Sequence, residues 1–136
     1  MLDDGKPLFR QVAEMIENAI VDGSLPEEAQ APSSNELAAF HRINPATAAK
    51  GLNQLVADGI LYKKRGIGMF VTTGARNALR FRRREAFTEQ YIAPLVTEAR
   101  KLGLGPDELE GMVRAYLAPA LATPPNPRLD EREEAR

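Results

Sequence analysis

Three groups of polar side chains in this 136-residue sequence carry usable chemistry. Asn44, Thr47 and Lys50 recur every three residues, which places them along one face of a helix. An amide pairs with the edge of adenine, an ammonium with guanine O6 and N7, and a threonine methyl with the methyl of thymine. Lys63, Lys64 and Arg65 form an unbroken basic run directly before Gly66-Ile67-Gly68, where cations suit phosphate. Ser33 opens Ser33-Ser34-Asn35-Glu36, and its hydroxyl suits a helix cap that also touches phosphate.

Other chemistries find no support. The chain has no Cys and one His. That removes disulfides, thiolate metal sites and cysteine nucleophiles, and leaves His41 as a surface or turn residue without metal-binding partners. Ser33 has no histidine at usable spacing, so it is not read as a nucleophile. Gly66-x-Gly68 is not a phosphate loop, because β-prone residues follow it rather than a helix. No carboxylate pair stands in a recognisable motif. The expectation is a protein that is not an enzyme, with no cofactor and no metal.

Net charge is -1, but the average conceals an asymmetry. Tyr62 to Arg84 holds eight basic residues and no acid, whereas four of the last seven residues are acidic. Local charge is therefore the better guide to partners. No apolar run approaches the ~18 residues of a membrane span, and the start lacks a signal-peptide pattern. A cytoplasmic protein with no membrane contact is expected.

These side chains need elements to position them. Phe9, Val12, Ala13, Ile16 and Ile20 share one helix face, with Pro7 in the first turn and Gly23 after the last. Ser24 to Pro32 contains two prolines and no periodicity, so it reads as a loop. A short helix follows Ser33, with Leu37, Ala38 and Phe40 available for the core. Asn44-Pro45 announces the next helix, as cap and first helical residue. Its buried stripe is Ala48, Gly51, Leu52, Leu55 and Val56, and Gly59 ends it. Ile60–Lys64 and Met69–Thr72 are β-prone, and Arg65-Gly66-Ile67-Gly68 suits a tight hairpin. A helical stretch then runs from Gly74 to about Leu102, with a kink or break expected at Pro94. Pro106-Asp107-Glu108 opens a last helix, and Pro-Pro-Asn-Pro after Thr123 begins a disordered tail.

Two helices, a short turn and a polar-faced second helix describe a helix-turn-helix, whose second helix starts in the major groove. Plainer readings stand beside this one. Asn44 as a cap alone, and Thr47 and Lys50 as a solvated face, need no ligand. A basic run is often merely solvated, although a Gly-flanked hairpin tip favours a contact. Arg80, Arg82, Arg83 and Arg84 leave three readings open: a solvated helix face, a partner surface, or a second phosphate contact.

The residues from Pro7 to Val71 resemble the winged helix-turn-helix of GntR-family transcription regulators. The resemblance rests on Gly23-Ser24-Leu25, on Pro32-Ser33-x-x-Glu36-Leu37-Ala38, and on Asn44-Pro45-Ala46-Thr47 with Lys50. It continues through Leu55-x-x-Asp58-Gly59-Ile60-Leu61 and Arg65-Gly66-Ile67-Gly68-Met69-Phe70-Val71. The Asn-Pro-x-Thr start and the short two-helix tail resemble the YtrA branch. Two departures stand out. The family usually has Arg where this chain has Asn35. It also usually reads Gly-Asp-x-Leu-Pro-Ser where this chain reads Glu28-Ala29-Gln30-Ala31-Pro32-Ser33.

The resemblance implies a homodimeric repressor that reads a palindromic operator, controlling its own operon and a transporter operon. It implies double-stranded DNA contacts at Ser33, Asn44, Thr47, Lys50, Lys64, Arg65 and Gly66; Asn35, where the family has Arg, and Lys63, in the same basic run, complete the expected contact set. The expected fold is mainly α with a small β-hairpin: a winged helix-turn-helix over 5–73, a two-helix dimerisation domain over 74–120, and a tail over 121–136. The dimer face would use Ile92, Leu95, Val96 and Leu102 on one helix, and Leu109, Met112, Val113, Tyr116 and Leu117 on the next. A small-molecule effector between the two parts is compatible with this layout, though no residue set identifies one. The competing expectation is a winged-helix protein-docking module without sequence-specific DNA binding.

Overall fold

The computed structural model describes residues 5–121. Helix α1 spans Leu8–Asp22 and buries Val12, Ala13, Ile16 and Ile20 on one side. Gln11 is buried among them, and its amide donates to the Lys6 carbonyl at 2.8 Å. Helix α2 spans Ser34–His41 and is started by a complete capping box at Ser33. The Glu36 amide donates to Ser33 Oγ at 3.1 Å, and the Ser33 amide donates to Glu36 Oε1 at 2.9 Å. Leu37 and Ala38 are buried, but Phe40 is not a core residue: it is 82% exposed. It shares a helix side with Glu36, four residues earlier, which lies in the exposed first turn.

Helix α3, Pro45–Ala57, buries Ala48, Gly51, Leu52 and Leu55, with Val56 partly covered. It packs tightly against α1 at Gly51. A Cβ there would lie 2.7 Å from the Phe9 carbonyl oxygen and 2.9 Å from Val12 Cβ. The two backbones meet because position 51 has no side chain. One apolar core then joins Val12, Ile16, Ile20, Leu37, Leu52 and Leu55 to Leu61 and Val71 of the hairpin.

Strands β1, Leu61–Lys64, and β2, Gly68–Val71, pair antiparallel with Leu61 opposite Val71 and Lys64 opposite Gly68. The segment before α2, expected as a loop, lies along the other edge of β2. The Glu28 amide donates to Val71 O at 2.8 Å, the Val71 amide to Ala29 O at 3.0 Å, and the Ala31 amide to Met69 O at 2.8 Å. Gln30 stands opposite Phe70. Pairing leaves no open edge on β2, whose N–H and C=O groups need partners wherever they are covered.

Helix α4, Ala75–Phe87, buries Ala75 and Leu79. The chain divides into two compact units, the first ending at Ala86 and the second beginning at Phe87. In the second, the expected interruption at Pro94 takes the form of one wide helical turn over Thr88–Ile92. The Ala93 amide donates to Thr88 O, five residues back. Pro94 has no amide to offer and its ring crowds the preceding turn, so the helix widens before it. Helix α5, Ala93–Lys101, and helix α6, Pro106–Leu121, complete the unit. Beyond Leu121, the tail read from the sequence lies outside the described residues. Among the described residues, no helix is long and apolar enough to cross a membrane.

Substituting Gly51→Ala is expected to destabilise the protein by about 1–3 kcal/mol, because the added methyl meets backbone rather than a flexible side chain. A urea titration reading the shift in midpoint at constant slope checks this.

Candidate nucleic-acid interface

The start of α3 is exposed. Asn44 is its N-cap, and Asn44 Oδ1 accepts the Ala46 amide at 2.8 Å. Capping occupies one acceptor site and leaves both Nδ2 hydrogens to donate. Thr47 is half-buried one turn along, and Lys50 is exposed. The Lys50 ammonium does not extend straight into solvent: Nζ stands 4.1 Å from the centre of the Phe9 ring on α1. A cation–π contact of this kind holds the charge on the α3 surface without burying it.

Ser33 and Asn35 lie at the start of α2, both exposed. A cleft of about 200 Å³ is walled by Ser33 and Ser34, by Ala49 and Leu52 of α3, and by Gly68 and Met69 of β2. The beginning of α2, the body of α3 and the turn end of β2 therefore face one another across it. Gln30 lines the same cleft, and its Nε2 donates to the Ile67 carbonyl at 3.1 Å, holding the hairpin turn.

Lys63, Lys64, Arg65 and Gly66 are all exposed at the hairpin end. They do not point alike. Successive strand residues face opposite sides, so Lys63 shares a side with Leu61 and Lys64 shares one with Tyr62. Lys64 Nζ lies 4.3 Å from the Phe70 ring centre and 6.0 Å from that of Tyr62. Two lysines of the presumed contact set, Lys50 and Lys64, are thus each seated on an aromatic face.

The α4 arginines divide. Arg83 donates to Asn18 Oδ1 on α1. Burial pushes the Glu17 carboxyl above its ordinary range, and the charges of Arg82 and Arg83 partly offset this. Asp58, just past the far end of α3, acts on the same Glu17. Arg80, Arg82, Arg83 and Arg84 are all exposed, and Arg82 and Arg83 are near enough to Glu17 for their charges to act on it.

Four residues in the first unit escaped the sequence reading. Arg76 donates through Nε to the Val21 carbonyl at 3.0 Å. Glu27 accepts the Gly74 amide at 2.9 Å and the Arg76 amide at 3.4 Å, capping α4 from outside. Glu28 accepts from both the Tyr62 and Thr73 hydroxyls. Gln30 holds the hairpin turn as described. Each bonds to a partner far along the chain, and no local spacing signals such a pair.

In the second unit, Tyr116 is 87% exposed, Leu102 65% and Leu117 56%. Ile92, Leu95, Met112 and Val113 are also exposed, and Val96 and Leu109 are half-covered. Ala99 is the buried residue of the α5 stripe. Among the described residues, no group of three His, Cys, Asp or Glu is placed to hold a metal.

Helix, turn and helix, followed by a basic hairpin beside the second helix, define a winged helix-turn-helix. Residues 8–71 match the family described as "Bacterial regulatory proteins, gntR family". The chain is 37% identical over 65 residues to the histidine utilization repressor of Pseudomonas putida, covering 48% of this chain and 26% of that protein. The match thus spans about a quarter of that relative's length. Along more of its length it is similar to the HTH-type transcriptional repressor YtrA of Bacillus subtilis, 24% identical over 112 residues, 82% of this chain and 85% of YtrA. A solved GntR-family regulator from Bacteroides thetaiotaomicron is 29% identical, with a TM-score of 0.62 over 82% of this chain and 96% of that one. The DNA-binding domain of AraR, solved in complex with operator ORX1, is 28% identical with a TM-score of 0.50, covering 53% of this chain and 93% of that one.

Two exposed carboxyls of this domain are held by hydrogen bonds. The Thr73 and Tyr62 hydroxyls hold the Glu28 carboxyl below its ordinary value, and the Ser33 amide does the same for Glu36. Lowered carboxyl values mean stability that is present above the unfolded value, about 4.3, and lost as pH falls through the folded values. Glu17 opposes this, since its raised value makes ionisation unfavourable in the fold. Glu36→Gln is expected to flatten the loss of stability between pH 5 and pH 3, as read by thermal melts across that range.

Proposed function

We propose that this chain is a homodimeric, sequence-specific DNA-binding regulator of transcription, acting as a repressor at a palindromic operator. The observation that carries the reading is the polar start of α3, with Asn44 exposed and Thr47 half-buried, on a helix whose Ala49 and Leu52 share a cleft with Ile67 and Gly68 of the basic hairpin. That surface suits a major-groove reader with a wing on the adjacent backbone. The operator complex of the AraR DNA-binding domain supports it, because about half of this chain is similar to that domain. The similarity to the repressor YtrA over most of both chains supports repression.

Base contacts fall to Asn44, through Nδ2, to Thr47 and to Lys50. Ser33, Asn35, Lys63, Lys64, Arg65 and Gly66 contact the phosphate backbone and the adjacent groove. Residues 5–73 form the DNA-binding domain and 74–120 the dimerisation domain. The apolar side chains left exposed on α5 and α6, Leu95, Leu102, Met112 and Leu117 among them, are covered by a second copy. Two-fold pairing then sets two recognition helices about 34 Å apart, one turn of DNA. Its own operon and a transporter operon are the proposed targets, the cytoplasm is its place, and an unidentified small-molecule effector is the proposed control.

A salt-titrated binding assay tests this, using DNA upstream of the protein's own gene against unrelated DNA of equal length. Preference for the upstream DNA is expected. Lys63→Ala with Arg65→Ala should weaken binding about tenfold and reduce the salt slope by about two. Equal binding to both DNAs removes the specific reading, and no binding at low salt favours a protein-docking module. Sedimentation at micromolar concentration should give a dimer, and a monomer would contradict the pairing.

A further inference from the structure

Glu28 adopts a left-handed backbone, φ 66°, which L side chains rarely take. Backbone bonds hold it in place, its amide on Val71 O and the next carbonyl receiving the Val71 amide. Its carboxylate then accepts from two hydroxyls that belong to different elements. Tyr62 is in β1, the outer strand of the wing. Thr73 is in the link between β2 and α4. Glu27 beside it accepts two amides at the start of α4. A glycine at 28 would adopt this backbone without strain but would supply neither bond.

We infer that Glu28 is a positioning residue that locks the wing to the start of α4, so that the two move as one body and the Lys63–Arg65 tip stands at a fixed place beside α3. Residues 28–31 already flank β2, but the hairpin tip that carries Lys63 to Arg65 is exposed, and Tyr62 is the residue of β1 that the Glu28 carboxylate holds. Tyr62 sits in β1 directly before Lys63, so a tether there governs the tip. Thr73 sits two residues before α4, so the same tether follows any movement of that helix. The consequence for DNA rests on the proposed function above; the consequence for wing motion does not.

The test compares wild type, Glu28→Gly and Glu28→Gln by thermal melting, by amide hydrogen exchange, and by affinity for a duplex that wild type selects from a random-sequence pool. Glu28→Gly is expected to melt at or above the wild-type temperature, because it relieves the left-handed strain. Its amides over 61–71 should nonetheless exchange about tenfold faster, with those of α1 and α3 unchanged. Its affinity for the selected duplex should fall about tenfold. Glu28→Gln, with two polar atoms at the same reach, should restore most of both losses. Unchanged exchange over 61–71, or exchange that quickens equally in α1 and α3, would overturn the inference. Should wild type select no duplex, the DNA reading fails, and the exchange data still decide the role of Glu28.

Discussion

The winged domain depends on the tight crossing of α3 over α1 at Gly51, where there is no room for a side chain. Any side chain at 51 would meet the Phe9 carbonyl and Val12 within 3 Å. That approach sets how deeply α3 sits, and therefore which of its residues remain outside. Ala48, Leu52 and Leu55 fall into the core on the same side as Gly51, which leaves Asn44 and Lys50 exposed. It also brings the Phe9 ring under Lys50, so the recognition-face cation is held by the same packing that buries the helix. The polar face is a consequence of the core, not a separate feature added to it.

The wing depends on the segment that precedes α2. Residues 28–31 pair with β2, fill its free edge, and lead directly into the capping box at Ser33. One short stretch thereby fixes the hairpin, the start of α2 and, through Glu27 and Glu28, the start of α4. Gln30 extends the same control to the tip by holding the Ile67 carbonyl. Gly68 has φ 150°, a backbone that favours glycine, and a Cβ there would lie 2.5 Å from Gln30 Nε2 and displace that amide.

What the sequence made legible was local. The Ser33–Glu36 box, the Asn44-Pro45 start and the stripes of α1 and α3 are set by neighbours within one or two helical turns, and each is present as read. The small hairpin in a mainly helical chain and the disturbance at Pro94 follow from residue types in the same way. Pairing of residues 28–31 was not legible, because Glu-Ala-Gln-Ala shows no alternation and its partner lies about forty residues on. The left-handed Glu28 was hidden for a related reason: glycine signals that backbone and glutamate does not. Phe40 misled because a large apolar residue in a short helix suggests core, and here it shares a side with the capping glutamate. Charge alone left the α4 arginines open, and the bond from Arg83 to Asn18 distinguishes one of them from its neighbours.

The central claim is that the start of α3, the start of α2 and the wing tip form one DNA-facing surface. Amide hydrogen exchange of the full chain, with and without a bound duplex, tests it most directly. The account predicts added protection confined to residues 33–36, 44–50 and 63–68, with α4 beyond Leu79 unchanged. Protection centred on the exposed arginines of α4, with residues 44–50 unaffected, would contradict it.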